Sequence, residues 1–194
     1  KYNRIISRLT RKLTHPRREE ETEIGNLFTD IFAEIGDLDV VLIGSGSIRK
    51  PELGPVVTLG ELKEIYPYGN SLYKLQLTGA KLLKIFNYIL RAEKRIPGKS
   101  SFYQVNKGVR AVYSDAEQKV ESLLINGEPI AENTQYSVCV LEYHYKNSVK
   151  RFNLTSEELG TPKILTTSAQ DVLEEYMTSH QHIDSHIEGR ITFK

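Results

Sequence analysis

Two short stretches carry residue types suited to small-ligand recognition. Gly44-Ser45-Gly46-Ser47-Ile48-Arg49 follows the apolar run LDVVLI. Glycines let a backbone approach a ligand closely, and the guanidinium of Arg49 is built to clamp a phosphate through paired hydrogen bonds. A strand followed by a glycine loop also begins dinucleotide sites, but that chemistry needs a third glycine and a helix N-terminus to receive the pyrophosphate. Arg49 stands at the third-glycine position and Pro51 follows, which argues against it. Taken alone, Arg49 reads equally well as half of a surface ion pair. The second stretch, Pro67-Tyr68-Gly69-Asn70, is a tight turn that presents a tyrosine outward. Its ring suits stacking on a flat heterocycle, and Asn70 offers both a donor and an acceptor to a base edge. The plain alternative is a tyrosine laid over a sheet edge.

Other reactive side chains are less organised. His180, His182 and His186 cluster in HQHIDSH, but no firm helix is predicted to hold them on one face, so a polar tail is the better reading. His15 and His144 stand apart, and no G-x-S-x-G elbow supports a serine hydrolase. Cys139 is the single cysteine, which excludes an internal disulfide and a thiolate zinc cage. Its alternating apolar surroundings mark it as core.

These groups need elements to position them. Ile24, Leu27, Phe28, Ile31, Phe32 and Ile35 fall on one helical face, with acids at its start and Gly36 as a stop. LDVVLI reads as a buried strand. Thr58 and Glu61 form a capping box for a short helix. Residues 72–77 alternate as a strand, and Thr78 caps a helix whose apolar face is Leu82, Ile85, Phe86, Ile89 and Leu90. Strands are predicted over 109–113, 120–125, 136–143 and 190–193, with a hairpin signal at Asn126-Gly127. A further helix starts at Ser168 and Asp171 and ends near Met177. Residues 97–101 are the best internal break. The first stretch, rich in Lys and Arg and free of acids, places Tyr2, Ile5, Ile6, Leu9 and Leu13 at helical spacing. It is expected to be a linker helix over 1–15 from a preceding domain, with residues 16–194 as the domain proper. Helices and strands mix without strict βαβ alternation, so the fold class expected is α+β: a single domain with a mixed sheet flanked by helices.

Composition narrows the function. Lys and Arg number 26 against 25 Asp and Glu, a net charge of +1 that provides no global field for a nucleic-acid backbone. No apolar run is long enough to span a membrane. The chain does not begin with Met, so a fragment of a longer protein is expected.

Taken in order, the pieces resemble the C-terminal, substrate-binding domain of the 5′-nucleotidase and UDP-sugar hydrolase family of metallophosphoesterases. Arg18 and then Glu21-Thr22-Glu23-Ile24-Gly25-Asn26-Leu27 resemble R-x-x-E-T-N-x-G-N-L. Gly44 to Arg49 resembles N-G-G-G-I-R, Pro67 to Asn70 resembles P-F-G-N, and Leu77-Thr78-Gly79 resembles L-T-G-x-x-L. Asn126 to Ile130 and Tyr136-Ser137-Val138 are similar to V-N-G-K-P-I and Y-x-V.

The resemblance implies a nucleotide-binding domain working with an N-terminal metallophosphoesterase domain in cis. That domain would hold two divalent metal ions and perform hydrolysis, so no cofactor is expected in this chain and the isolated chain is expected to be inactive. It implies substrate contacts from Arg18 and Arg49 to phosphate or ribose, and stacking of a base on Tyr68 beside Asn70. The second stacking aromatic lands on Tyr143. The family is often extracytoplasmic, and that compartment is the one implied. Two departures stand out. Gly44 replaces the family's asparagine, and Val149 occupies the place of an aspartate that contacts ribose hydroxyls. Lys146, Lys150 and Arg151 add positive charge to that segment, suited either to an extra phosphate or to a solvated loop. A module of the same fold that has lost its nucleotide site is the alternative these departures raise.

Overall fold

The computed structural model describes residues 1–99 and 102–194; Ser100 and Ser101, part of the break expected at 97–101, lie outside the described residues. In chain order the elements begin with β1 (Ile5–Arg8), β2 (Leu13–Thr14), α1 (Glu23–Gly36), β3 (Val40–Gly44), β4 (Glu52–Leu53), β5 (Val56–Thr58), α2 (Leu59–Ile65), β6 (Leu72–Thr78) and α3 (Gly79–Ile89). They continue with β7 (Tyr103–Val105), β8 (Val109–Ser114), β9 (Lys119–Ile125), β10 (Glu128–Pro129), β11 (Gln135–Leu141), α4 (Glu142–Lys146) and α5 (Ser148–Phe152). Last come α6 (Ser156–Leu159), β12 (Lys163–Thr166), α7 (Ala169–Ser179) and β13 (Ile191–Phe193).

The centre is a mixed five-stranded sheet in the order β12-β6-β11-β3-β7, in which β11 and β3 run parallel and the other pairs antiparallel. Side chains of a strand alternate between faces, and here both faces are covered. Val41, Ile43, Cys139 and Leu141 point into a core shared with α1, α2 and α7. Val40, Leu42, Val138 and Val140 point into a second core with α3 and the sheet β10-β9-β8-β13. Burial on both faces is why β3 reads as a continuous apolar run. The α+β class and the flanking helices agree with the sequence reading.

The helices start where short polar side chains cap them. Thr22, Thr58, Thr78 and Ser168 each accept a hydrogen bond from the backbone N–H three residues on. The box expected at Thr58 is half made, because Glu61 turns back to accept from the Gly54 N–H at 2.9 Å. The complete box is at Thr155 and Glu158. Helix α1 buries Ile24, Leu27, Phe28, Ile31 and Phe32, while Ile35 is exposed and Asp37 takes the left-handed cap at φ 49°.

The expectation of a helix over 1–15 is overturned. β1 pairs antiparallel with β5, and β2 with β4. Ile6, Leu9 and Leu13 are buried in the first core, whereas Tyr2 and Ile5 are exposed. Backbone pairing with residues some fifty positions away overrides the local periodicity. The strand expected over 136–143 ends at Leu141, and α4 begins at Glu142.

The C-terminal segment is tied down by a buried arginine. Arg190 spans both oxygens of Asp30 at 2.9 and 2.8 Å, donates to the Val105 carbonyl at 2.8 Å, and pairs with Glu188.

Candidate functional site

Parallel strands β3 and β11 end side by side, and the polar loops that follow them frame a cavity of about 290 Å³. Ligands in sheets with this arrangement sit beyond the carboxyl ends of the strands. The cavity is lined by Gly44 at the end of β3 with Gly46 and Ser47 beyond it, by Tyr68 and Asn70 before β6, and by Leu141 at the end of β11 with Tyr143, His144 and Arg151 beyond it.

Tyr68 is placed by an aromatic relay from the core. Tyr66 is fully buried and meets Phe28 edge-on at 5.9 Å, and Tyr68 meets Tyr66 at 6.2 Å with the rings at 88°. Edge-to-face contacts of this kind hold rings in fixed orientation. The turn itself is pinned by α7: the Ala169 N–H donates to the Asn70 carbonyl at 2.9 Å, and Gln170 Nε2 donates to the Tyr66 carbonyl at 2.6 Å. Tyr68 keeps 36% of its surface exposed.

Tyr143 stands in the first turn of α4 and is 52% exposed. The Arg151 guanidinium lies 5.5 Å from its ring centroid, and the same cation holds the phenol below its ordinary pKa. His144, the next residue, also lines the cavity but is only 5% exposed. It is buried against Tyr103 at 5.1 Å and Phe152 at 6.4 Å, and its Nδ1 has no hydrogen-bond partner. Burial, reinforced by Arg151, lowers its pKa to about 3, so the imidazole is neutral.

His144 explains the glycine at 44. A Cβ on Gly44 would come within 2.6 Å of His144 Cε1 and 3.0 Å of Nε2. No side chain fits at 44 while the imidazole is in place. The departure at Gly44 and the histidine a hundred residues on are thus one steric unit.

Beneath the loop lies a buried polar network that the sequence reading missed. His15 is 4% exposed, with Nδ1 2.7 Å from Thr22 Oγ1 and Nε2 3.2 Å from the Ser45 carbonyl. Since a carbonyl only accepts, Nε2 carries the proton and Nδ1 accepts from the Thr22 hydroxyl. That hydroxyl in turn accepts from the Gly25 N–H, and Gln104 bridges the Thr22 N–H to Ser45 Oγ. Desolvation lowers the His15 pKa to about 4, in keeping with this neutral tautomer. The network fastens the N-terminus of α1 to the loop at Ser45. Its spacing, His15 to Thr22 to Ser45 to Gln104, has no local signature.

Of the sequence candidates, the structure brings Tyr68, Asn70 and Tyr143 to one cavity. Arg49 and Arg18 are not among its lining residues. Arg49 is exposed, with Nη1 donating to the Gly46 carbonyl at 3.1 Å. Arg18 is half-buried, and its charge acts on His15. Val149 is 60% exposed on α5 and is also outside the lining, whereas Arg151, two residues onward on the same helix, is part of it. Lys146 is engaged with Glu142 at 2.6 Å. Among the described residues no group of three or more His, Cys, Asp or Glu is arranged to hold a metal ion. His180 instead stacks on Tyr176 at 3.8 Å, and His186 pairs with Asp184 at 3.0 Å.

Comparison with known proteins decides the family. Residues 5–156 match the family model described as the 5′-nucleotidase C-terminal domain. The chain belongs to that family. A 5′-nucleotidase precursor from Thermus thermophilus superposes with a TM-score of 0.79 at 22% identity, covering 98% of this chain and 39% of that one. A 5′-nucleotidase of Vibrio cholerae is 24% identical over 175 residues, covering 86% of this chain and 29% of the relative. A Listeria monocytogenes protein described as a cell wall protein is 24% identical over 156 residues, covering 72% of this chain and 19% of the relative. The chain therefore spans a minority of each relative's length.

Proposed function

We propose that this 5′-nucleotidase C-terminal domain binds the nucleoside part of a nucleotide and orients its phosphate for hydrolysis by a metallophosphoesterase domain of the same protein. The observation that carries the reading is the convergence of Tyr68, Asn70 and Tyr143 on one cavity at the carboxyl end of β3 and β11. Two tyrosine faces supply stacking worth about 1–3 kcal/mol per contact by analogy with base stacking on aromatic side chains. Asn70 supplies a donor and an acceptor for a base edge. Positioning of this kind lowers the entropy cost of a reaction performed elsewhere. The two divalent metal ions of such a reaction would be held by that other domain, as the family resemblance implies. The relatives' descriptions, a cell wall protein and a nucleotidase precursor, favour an extracytoplasmic setting. No helix among the described residues is long and apolar enough to cross a membrane.

A titration of the isotope-labelled chain with adenosine and with AMP, followed by NMR, tests this reading. Signals from residues 67–70 and from residues 141–144 should shift together along one binding curve. A panel of purine and pyrimidine nucleotides that moves neither segment at high millimolar concentration would reject the reading in favour of an interaction module of the same fold.

A further inference from the structure

The cavity holds a charge that stacking does not use. Arg151 lines it together with Tyr143 and His144, and no Asp or Glu is among the lining residues. None of the ion pairs among the described residues involves Arg151, and its Nε is buried without a hydrogen-bond partner. The adjacent His144 is 5% exposed and has a second unpartnered nitrogen, Nδ1. A half-buried guanidinium with no acidic partner is suited to an anionic ligand, whose oxygens accept from its N–H groups. The position of Arg151 suits that role. Its guanidinium lies over the Tyr143 ring at 5.5 Å and lines the same cavity, beside the space open to a ring held by the tyrosines.

We infer that Arg151 is an anion-binding, specificity-determining residue of this cavity, and that its ligand carries a phosphoryl group beside the ring held by the tyrosines. This rests on the nucleotide-binding reading above and refines it. The domain grips a phosphate of its own instead of reading the sugar through a carboxylate. Phosphoryl oxygens are acceptors, matched to the donors of Arg151, and a fork of two N–H groups gives such a contact direction as well as strength. A nucleotide can present that group from its 5′ position or from the 2′,3′ edge of the ribose.

The experiment compares adenosine, 5′-AMP and 3′-AMP on the unmodified chain, Arg151→Gln and Arg151→Lys, by titration calorimetry at low and at moderate salt. One of the two phosphorylated ligands should bind about tenfold tighter than adenosine, and its identity assigns the position of the phosphate. The gain should vanish in Arg151→Gln, persist in part in Arg151→Lys, and shrink as salt rises. Arg151→Gln should cost the favoured phosphorylated ligand about tenfold more than it costs adenosine. Equal affinities for all three ligands, or a phosphate gain that survives Arg151→Gln, would overturn the inference. So would an equal loss for adenosine and the nucleotides in Arg151→Gln, because that is the signature of a residue that only props Tyr143. The underlying reading fails separately: a phosphate gain tied to Arg151 but indifferent to Tyr68→Ala would keep the anion site and remove the stacked base.

Discussion

Gly44 and His144 offer a test of the site's construction that needs no ligand. The backbone at Gly44, φ −57° and ψ 123°, is open to any residue, so an alanine there meets no conformational penalty. Its cost comes from contact alone. The added Cβ would stand 2.6 Å from His144 Cε1 and 3.0 Å from Nε2, against an optimum of about 3.5–4.0 Å between carbons. The imidazole would have to retreat by about an ångström into Tyr103 and Phe152, which box it in at 5.1 and 6.4 Å. Overpacking of this kind costs about 1–3 kcal/mol. Stiffening the unfolded chain by replacing glycine returns about 0.4–1 kcal/mol. Gly44→Ala should therefore destabilise by about 1–2 kcal/mol net. In a His144→Ala background the clash is gone and the same change should be neutral or slightly stabilising, giving a coupling of about 2 kcal/mol. Urea unfolding of the four proteins, followed by circular dichroism, measures the cycle. An equal cost for Gly44→Ala in both backgrounds would refute the claim that the two positions form one steric unit.

Three further outcomes follow from the same structure. Phe28, on α1, is fully buried against Tyr66, so Phe28→Ala should cost about 3–5 kcal/mol in denaturant unfolding. Arg190→Ala removes a bidentate hydrogen bond to the part-exposed Asp30 and should cost about 1.5–3 kcal/mol, with early loss of amide protection in β13 by hydrogen exchange. Stability should also fall in acid below about pH 6.5, the ordinary histidine value. His15 and His144 are held neutral, with pKa lowered to about 4 and about 3, so the unfolded chain takes up protons first. Their contribution is complete above 6.5 and is lost as pH falls through 4 and then 3, roughly 3 kcal/mol for His15 alone. His15→Gln should flatten that part of the stability–pH curve, as measured by unfolding at a series of pH values.

The sequence was most informative where structure is local or periodic. Helix α1 is legible because five of the apolar positions that define its face are buried against the sheet; Ile35 fails because it lies one turn beyond the contact. The turn bearing Tyr68 is legible because proline, glycine and asparagine restrict the chain within four residues. The N-terminal strands are not legible, since what holds them is pairing with β5 and β4, and the helical spacing of their apolar residues is incidental. The placement of Tyr143 was found through family resemblance, while its local frame was misread: E-Y-H-Y-K continues a β-rich run without a break, and the helix that tips Tyr143 outward forms only as β11 leaves the sheet. Arg49 and Arg18 carry the right charge, but the side-chain direction that keeps them out of the cavity lining is not encoded in a motif. The pairings of Gly44 with His144, and of His15 with Thr22, Ser45 and Gln104, join residues brought together only by the finished fold.

The most direct test of the central claim is the affinity of adenosine for the unmodified chain, Tyr68→Phe, Tyr68→Ala and Tyr143→Ala. A millimolar dissociation constant, about −4 kcal/mol, is within reach of two stacked faces. Because the ring face and not the hydroxyl would make the contact, Tyr68→Phe should bind as the unmodified chain does. Each alanine variant should lose about 1–3 kcal/mol, roughly five- to 150-fold. Binding that is unchanged in both alanine variants, or lost equally in Tyr68→Phe, would contradict a base held between these two rings.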